Sequence, residues 1–143
     1  MDKTKYLQML DKLNLDPKRY CIISGGVMLV HGLKPTTQDI DILVQPDYFE
    51  ELQQRPDFHF TKSDKYPDLY KLDDREVEIE MRVMPFQEEN VELIDGYPAE
   101  SLERTLKWMV ENNRPKDQEK IAIIRDYLER AEMRRWLDCA SLL

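Results

Sequence analysis

Ser24-Gly25-Gly26 and Asp39-Ile40-Asp41 are the residues of this chain whose types and spacing point to chemistry. Ahead of them, Tyr20-Cys21-Ile22-Ile23 is a short apolar run of the kind that forms a buried strand, and it ends at two of the protein's four glycines. Val27 to His31 then fit a short helix closed by Gly32. A strand that breaks at Gly-Gly into a helix brings backbone N–H groups and a helix N-terminus towards one point, which suits a phosphate. Asp39 and Asp41 lie two apart among Ile40, Ile42, Leu43 and Val44. On a strand, residues i and i+2 face the same way, so both carboxylates project from one face and Ile40 and Ile42 from the other. Carboxylates aimed together repel unless a cation lies between them, and Mg²⁺ prefers one or two carboxylates plus phosphate oxygens of a substrate. A phosphate-binding turn followed by a carboxylate pair therefore points to metal-assisted phosphoryl or nucleotidyl transfer.

The elements that must position these residues can be read along the chain. Tyr6, Leu7, Leu10 and Leu13 recur at helical spacing within Met1 to Asn14, and Asp16-Pro17 stops that helix. Lys34-Pro35-Thr36-Thr37-Gln38 is a loop into the Asp39 strand. Pro46 to Leu52 reads as a short helix with Pro in its first turn. Phe58 and Phe60 alternate with His59 and Thr61, as in a strand. Tyr70-Lys71-Leu72 and Val77 to Val83 flank the polar turn Asp73-Asp74-Arg75, which predicts an antiparallel hairpin. In its second arm Val77, Ile79, Met81 and Val83 line one face, and Glu76, Glu78, Glu80 and Arg82 the other. Val91 to Ile94 is one more short strand, ended by Asp95-Gly96. From Pro98 a helix is expected through Leu102, Leu106, Met109 and Val110. Pro115 restarts a second helix with Ile121, Ile124, Leu128 and Ala131 as its buried stripe. Glu132 to Leu143, with Trp136, Leu137 and Leu142, is expected to form a third.

Composition bounds the function. The chain has 143 residues, enough for one domain with a real core but not for a second catalytic domain. Its net charge is -8, which disfavours a protein whose main business is gripping long nucleic acid through phosphates. No apolar run approaches about 20 residues and no charged-then-apolar leader opens the chain, so neither a membrane span nor a signal peptide is expected. Cys21 and Cys139 make no disulfide framework, and a cytoplasmic location follows.

Ser24-Gly25-Gly26, twelve intervening residues and Asp39-Ile40-Asp41-Ile42 resemble the signature of the nucleotidyltransferase superfamily that includes DNA polymerase beta. The resemblance implies an α/β (α+β) fold: a mixed twisted sheet with helices packed on it and a C-terminal helical segment. It implies a single domain over 1–143, with 1–96 as catalytic core and 97–143 as C-terminal helices. It also implies a third carboxylate from a later strand. Glu80-Met81-Arg82-Val83-Met84-Pro85 is similar to the family's run of acid, hydrophobic, Arg, two hydrophobics and Pro, so Glu80 is the choice, with Glu78 on the same face as the alternative. In the family a Thr often shortly precedes the first Asp; Thr37 fits that place, and Lys34 is the nearest basic residue, one position early. Lys107 followed by Arg114-Pro115-Lys116-Asp117 resembles the pattern near the C-terminal helices of small bacterial nucleotidyltransferases, where the basic residues approach the triphosphate or hold the helical pair onto the sheet.

The implied site has Asp39, Asp41 and Glu80 holding two Mg²⁺ ions. Ser24, Gly25, Gly26, Thr37, Lys107 and Lys116 would bind a nucleoside triphosphate. A hydroxyl on a small molecule, a tRNA or a protein would be the acceptor, in a toxin–antitoxin, defence or antibiotic-modifying setting. A homodimer partner or a cognate protein would supply further surface. The rival from another class is a catalytically silent member of the same fold that binds nucleotide or a partner protein. The bland alternatives are plain: glycines mark many turns for steric reasons, and His31 is a helix-end residue. His59 is isolated, and Trp108 and Trp136 are expected in the core. Glu88-Glu89 is a solvated loop.

Overall fold

The period-2 alternation around Asp41 does build a strand. In β2 (Ile40–Val44), Ile40, Ile42 and Val44 are fully buried while Asp41 and Leu43 are half-buried. β5 (Ile79–Val83) repeats the pattern, with Ile79 and Met81 inside and Glu80 and Arg82 facing the other way. The structure, a computed structural model, describes Met1–Ser141. The chain divides into two compact units, Met1–Ser101 and the residues from Leu102 on.

The first unit is one mixed sheet. Its other strands are β1 (Tyr20–Ile22), β3 (Phe60–Lys62), β4 (Leu69–Leu72), β6 (Val91–Ile94) and β7 (Tyr97–Glu100), and the order is β3-β4-β5-β2-β1-β7-β6. β2 is central, antiparallel to β1 and parallel to β5. The expected hairpin is present, β4 running antiparallel to β5 with Lys71 opposite Glu80. Three helices belong to this unit: α1 (Lys3–Asp11), α2 (Gly25–Val30) and α3 (Pro46–Leu52). Asp2 caps α1 by accepting from the Lys5 amide at 2.9 Å. Phe49 of α3 lies against Phe60 and Tyr70, with ring centroids 4.9 and 4.6 Å away, and so covers the buried side of the outer strands. This is the mixed sheet with helices packed on it that the sequence led us to expect.

The second unit is helical. α4 (Leu102–Asn112) and α5 (Gln118–Ser141) are joined by a 3-10 turn at Pro115–Asp117. Asp117 is fully buried there, bonded to Arg114 Nε at 2.6 Å, with Lys120 Nζ at 3.7 Å. Arg114 also lies over the Trp108 ring, 4.7 Å from its centroid.

Four expectations are corrected. Pro98 does not begin a helix: it lies in β7, paired with Leu93. Asp95 and Gly96, both at positive φ (53° and 87°), form a two-residue turn that sends the chain straight back along β6. Pro98 costs no ladder bond on the other side, because β7 meets β1 only through Ala99 and Ile22. The third C-terminal helix is not separate: α5 continues unbroken to Ser141, there being no Pro or Gly after Pro115 to stop it; Leu142 lies outside the described residues. Trp108 and Trp136 are 41% and 66% exposed rather than core. The stripe from Ile121 to Ala131 continues by helical spacing to Arg135 and Asp138, which turns Trp136 and Leu137 away from it. Finally, α2 starts at Gly25 itself. Among the described residues no helix is long and apolar enough to cross a membrane.

Candidate active site

The glycine corner and the carboxylates meet through strand pairing. β1 runs antiparallel to β2, and just beyond it the Ile23 amide donates to the Asp41 carbonyl at 3.0 Å. The chain therefore turns at Ser24 beside the end of β2 that carries Asp39 and Asp41. On the other side of β2, Asp41 and Glu80 are direct Cα partners in the parallel β2–β5 pair. One step earlier the Ile40 amide donates to the Glu78 carbonyl at 2.9 Å, which aligns Asp39 with Glu78. Four acidic residues, two on adjacent strands and two immediately before them, thus occupy one patch.

The electrostatics of Glu80 record that crowding. Its carboxyl is pushed up from 4.5 to about 7, chiefly by burial, then by a hydrogen bond with Glu78 and the charges of Asp41, Glu78 and Asp39. Glu78 is thus the hydrogen-bonded neighbour of Glu80, and both belong to the patch. As for a cation, the donor set is all carboxylate oxygen, the chemistry that Mg²⁺ takes, and a cation would relieve the repulsion that raises Glu80. By that test the residues fit the ion, although among the described residues no three side chains already stand as a metal cage.

The corner itself is tightly specified. Ser24 has φ 59° and ψ -135°, a conformation that favours glycine, and its hydroxyl does not cap α2. A Cβ on Gly25 would lie 3.0 Å from Thr37 Oγ1 and 3.2 Å from Lys34 Nζ. The place of a Gly25 side chain is therefore taken by a hydroxyl and an ammonium, which the absence of a Cβ lets approach the backbone. Thr37 is held in the loop before Asp39 by its amide, which donates to the Met1 carbonyl at 2.9 Å. Gly26 is needed for a different reason: a Cβ there would lie 2.2 Å from Tyr6 Oη and 2.6 Å from Ile22 Cγ2.

Ser24, Gly25, Gly26, Thr37, Asp39, Asp41 and Glu80 all belong to the sheet unit and to this one region of it. Lys107 and Lys116 stand on the helical unit, on α4 and on the turn before α5, and both are exposed. Two residues were missed in choosing site residues from the sequence. Lys34 is one position out of the family's register, yet the loop delivers its ammonium to Gly25. Tyr6 gave no signal beyond a helical apolar stripe.

No protein-family model matches the sequence, and no curated protein matches it in sequence. Solved structures do match. A candidate nucleotidyltransferase from Thermotoga maritima superposes with a TM-score of 0.57 at 15% identity, covering 96% of both chains. ANT(2″)-Ia, a nucleotidyltransferase whose crystal structure holds adenylyl-2″-tobramycin, superposes with a TM-score of 0.56 at 14% identity, over 98% of this chain and 96% of that one. JHP933 from Helicobacter pylori gives 0.50 at 16% identity, over 73% of this chain and 54% of that one. At such identities the likeness is one of fold.

Proposed function

We propose, from the premise that this chain has the nucleotidyltransferase fold, that it transfers a nucleoside monophosphate from a nucleoside triphosphate to a hydroxyl, releasing pyrophosphate. The observation that carries the proposal is the direct pairing of Asp41 with Glu80 across β2 and β5, next to the glycine corner.

The triphosphate lies along the corner. The amides there donate to it, and the Ser24 hydroxyl and the Lys34 ammonium, which the bare Gly25 lets come close to the backbone, add a donor and a charge. Asp39, Asp41 and Glu80, with Glu78 beside them, would hold Mg²⁺, which when bound would offset phosphate charge and ease the departure of pyrophosphate. Glu80 lies beside the acceptor hydroxyl and favours its deprotonation. The acceptor oxygen then bonds to the α-phosphorus as the bond from that phosphorus to the pyrophosphate oxygen breaks.

The acceptor we propose is a small hydroxylated molecule. The net charge of -8 works against a long polyanion, and the adenylylated drug in the ANT(2″)-Ia structure is an acceptor of that size on a chain of similar extent. The test is incubation with each NTP labelled at the α-phosphate, Mg²⁺ and a fractionated lysate. Label in the small-molecule fraction is expected, and label in tRNA or protein instead would overturn the acceptor class. Asp41→Asn should abolish transfer while leaving the circular dichroism spectrum unchanged. Transfer at an unaltered rate would sink the mechanism, and tight NTP binding without turnover would leave the silent binding module.

A further inference from the structure

Tyr6 is a completely buried tyrosine in the middle of α1, and its hydroxyl has no hydrogen-bond partner among the described residues. Phenylalanine would fill the same space without stranding a polar group, so packing alone does not account for the oxygen. Its position is specific: the oxygen lies beneath Gly26, 2.2 Å from where a Cβ would be, and the ring carbon that bears it is 2.8 Å from the same point. The next residue towards the corner is Gly25, with Lys34 and Thr37 beside it. The hydroxyl also lies within the field of Asp41, whose charge, after burial, is the next largest influence holding the phenol protonated.

A peptide unit is planar and trans, so its N–H and C=O point in opposite directions. A peptide of the corner that turns its N–H up to a phosphate must turn its C=O down, towards the buried side where Tyr6 lies. We infer that Tyr6 is a positioning residue for phosphate binding: its hydroxyl donates to a main-chain carbonyl of the Ser24–Gly26 corner when phosphate engages the amides there, using the lone pair that α2 leaves over, as at Ser24, whose carbonyl already accepts from the Val27 amide at 3.1 Å. The donor, unpaired among the described residues, becomes paired on loading. Gly26 follows as a requirement, because any side chain there would separate the hydroxyl from the corner.

This inference rests on the phosphate-binding role proposed for the corner, and the experiment separates the two. Magnesium tripolyphosphate serves as the probe, since it carries the phosphates without a base. Calorimetric binding to the wild-type protein and to Tyr6→Phe is compared, together with their ligand-free melting temperatures and the amide exchange of Gly25 and Gly26. Tyr6→Phe is expected to melt at the same or a higher temperature, to bind about tenfold more weakly, and to lose the ligand-induced protection of those amides. Equal affinity and equal protection in the two proteins would overturn the role of Tyr6 and leave the corner's role standing. A lower melting temperature for ligand-free Tyr6→Phe with affinity unchanged would show a structural role only. Failure of the wild-type protein to bind the probe would remove the phosphate corner itself, and this inference with it.

Discussion

Asp41 of β2 and Glu80 of β5 stand side by side in a parallel strand pair, and Glu80 is held near neutrality by burial and by its acidic neighbours. An acid whose carboxyl lies above its ordinary value binds its proton more tightly in the folded state. Its contribution to stability is full below about 4.5 and is lost as the pH rises through about 7. In metal-free buffer the melting temperature should therefore fall across that window, and Glu80→Gln should flatten the fall. Mg²⁺ should raise the melting temperature most on the alkaline side. A profile identical in wild type and Glu80→Gln would contradict the shared patch.

The two glycines of the corner should fail in different ways. In Gly26→Ala the new methyl meets Tyr6 and Ile22 well inside contact distance, both in the core, so a loss of about 3 kcal/mol in urea unfolding is expected. In Gly25→Ala the methyl meets Thr37 Oγ1 and the end of the flexible Lys34 side chain. A stability change of about 1 kcal/mol or less is expected there, with a much weaker affinity for magnesium tripolyphosphate.

Ser24 separates backbone from side chain. Its positive φ makes Ser24→Gly a stabilising substitution of about 1 kcal/mol, measured by denaturant unfolding. Ser24→Ala keeps the strain and removes only the hydroxyl. If that hydroxyl contacts phosphate, both variants should bind tripolyphosphate more weakly, by a similar factor.

Asp117 ties the helical unit together from a fully buried position, through Arg114 and Lys120. Asp117→Ala should cost about 2 kcal/mol, read as earlier melting of helical circular dichroism. An unchanged melting curve would show that this corner is held by packing alone.

Part of this protein is decided by local sequence. The breaking of an apolar strand at Gly25-Gly26 and the side-by-side projection of Asp39 and Asp41 follow from residue periods of 3.6 and 2, which act over a few positions. So do α1, α3 and the β4–β5 hairpin. What tertiary structure alone decided is everything that depends on register between distant segments. Strand period puts Glu78 and Glu80 on one face but cannot say which stands opposite Asp41; the long-range β2–β5 pairing does. Lys34 and Tyr6 reach the corner from a loop and from another helix, neither of which has a periodicity that encodes the contact. Pro98 suits a helix start and a strand equally well until the Asp95-Gly96 turn folds it back on β6. Trp136 has the polarity of a core residue, and only the angular position of α5's buried stripe leaves it outside.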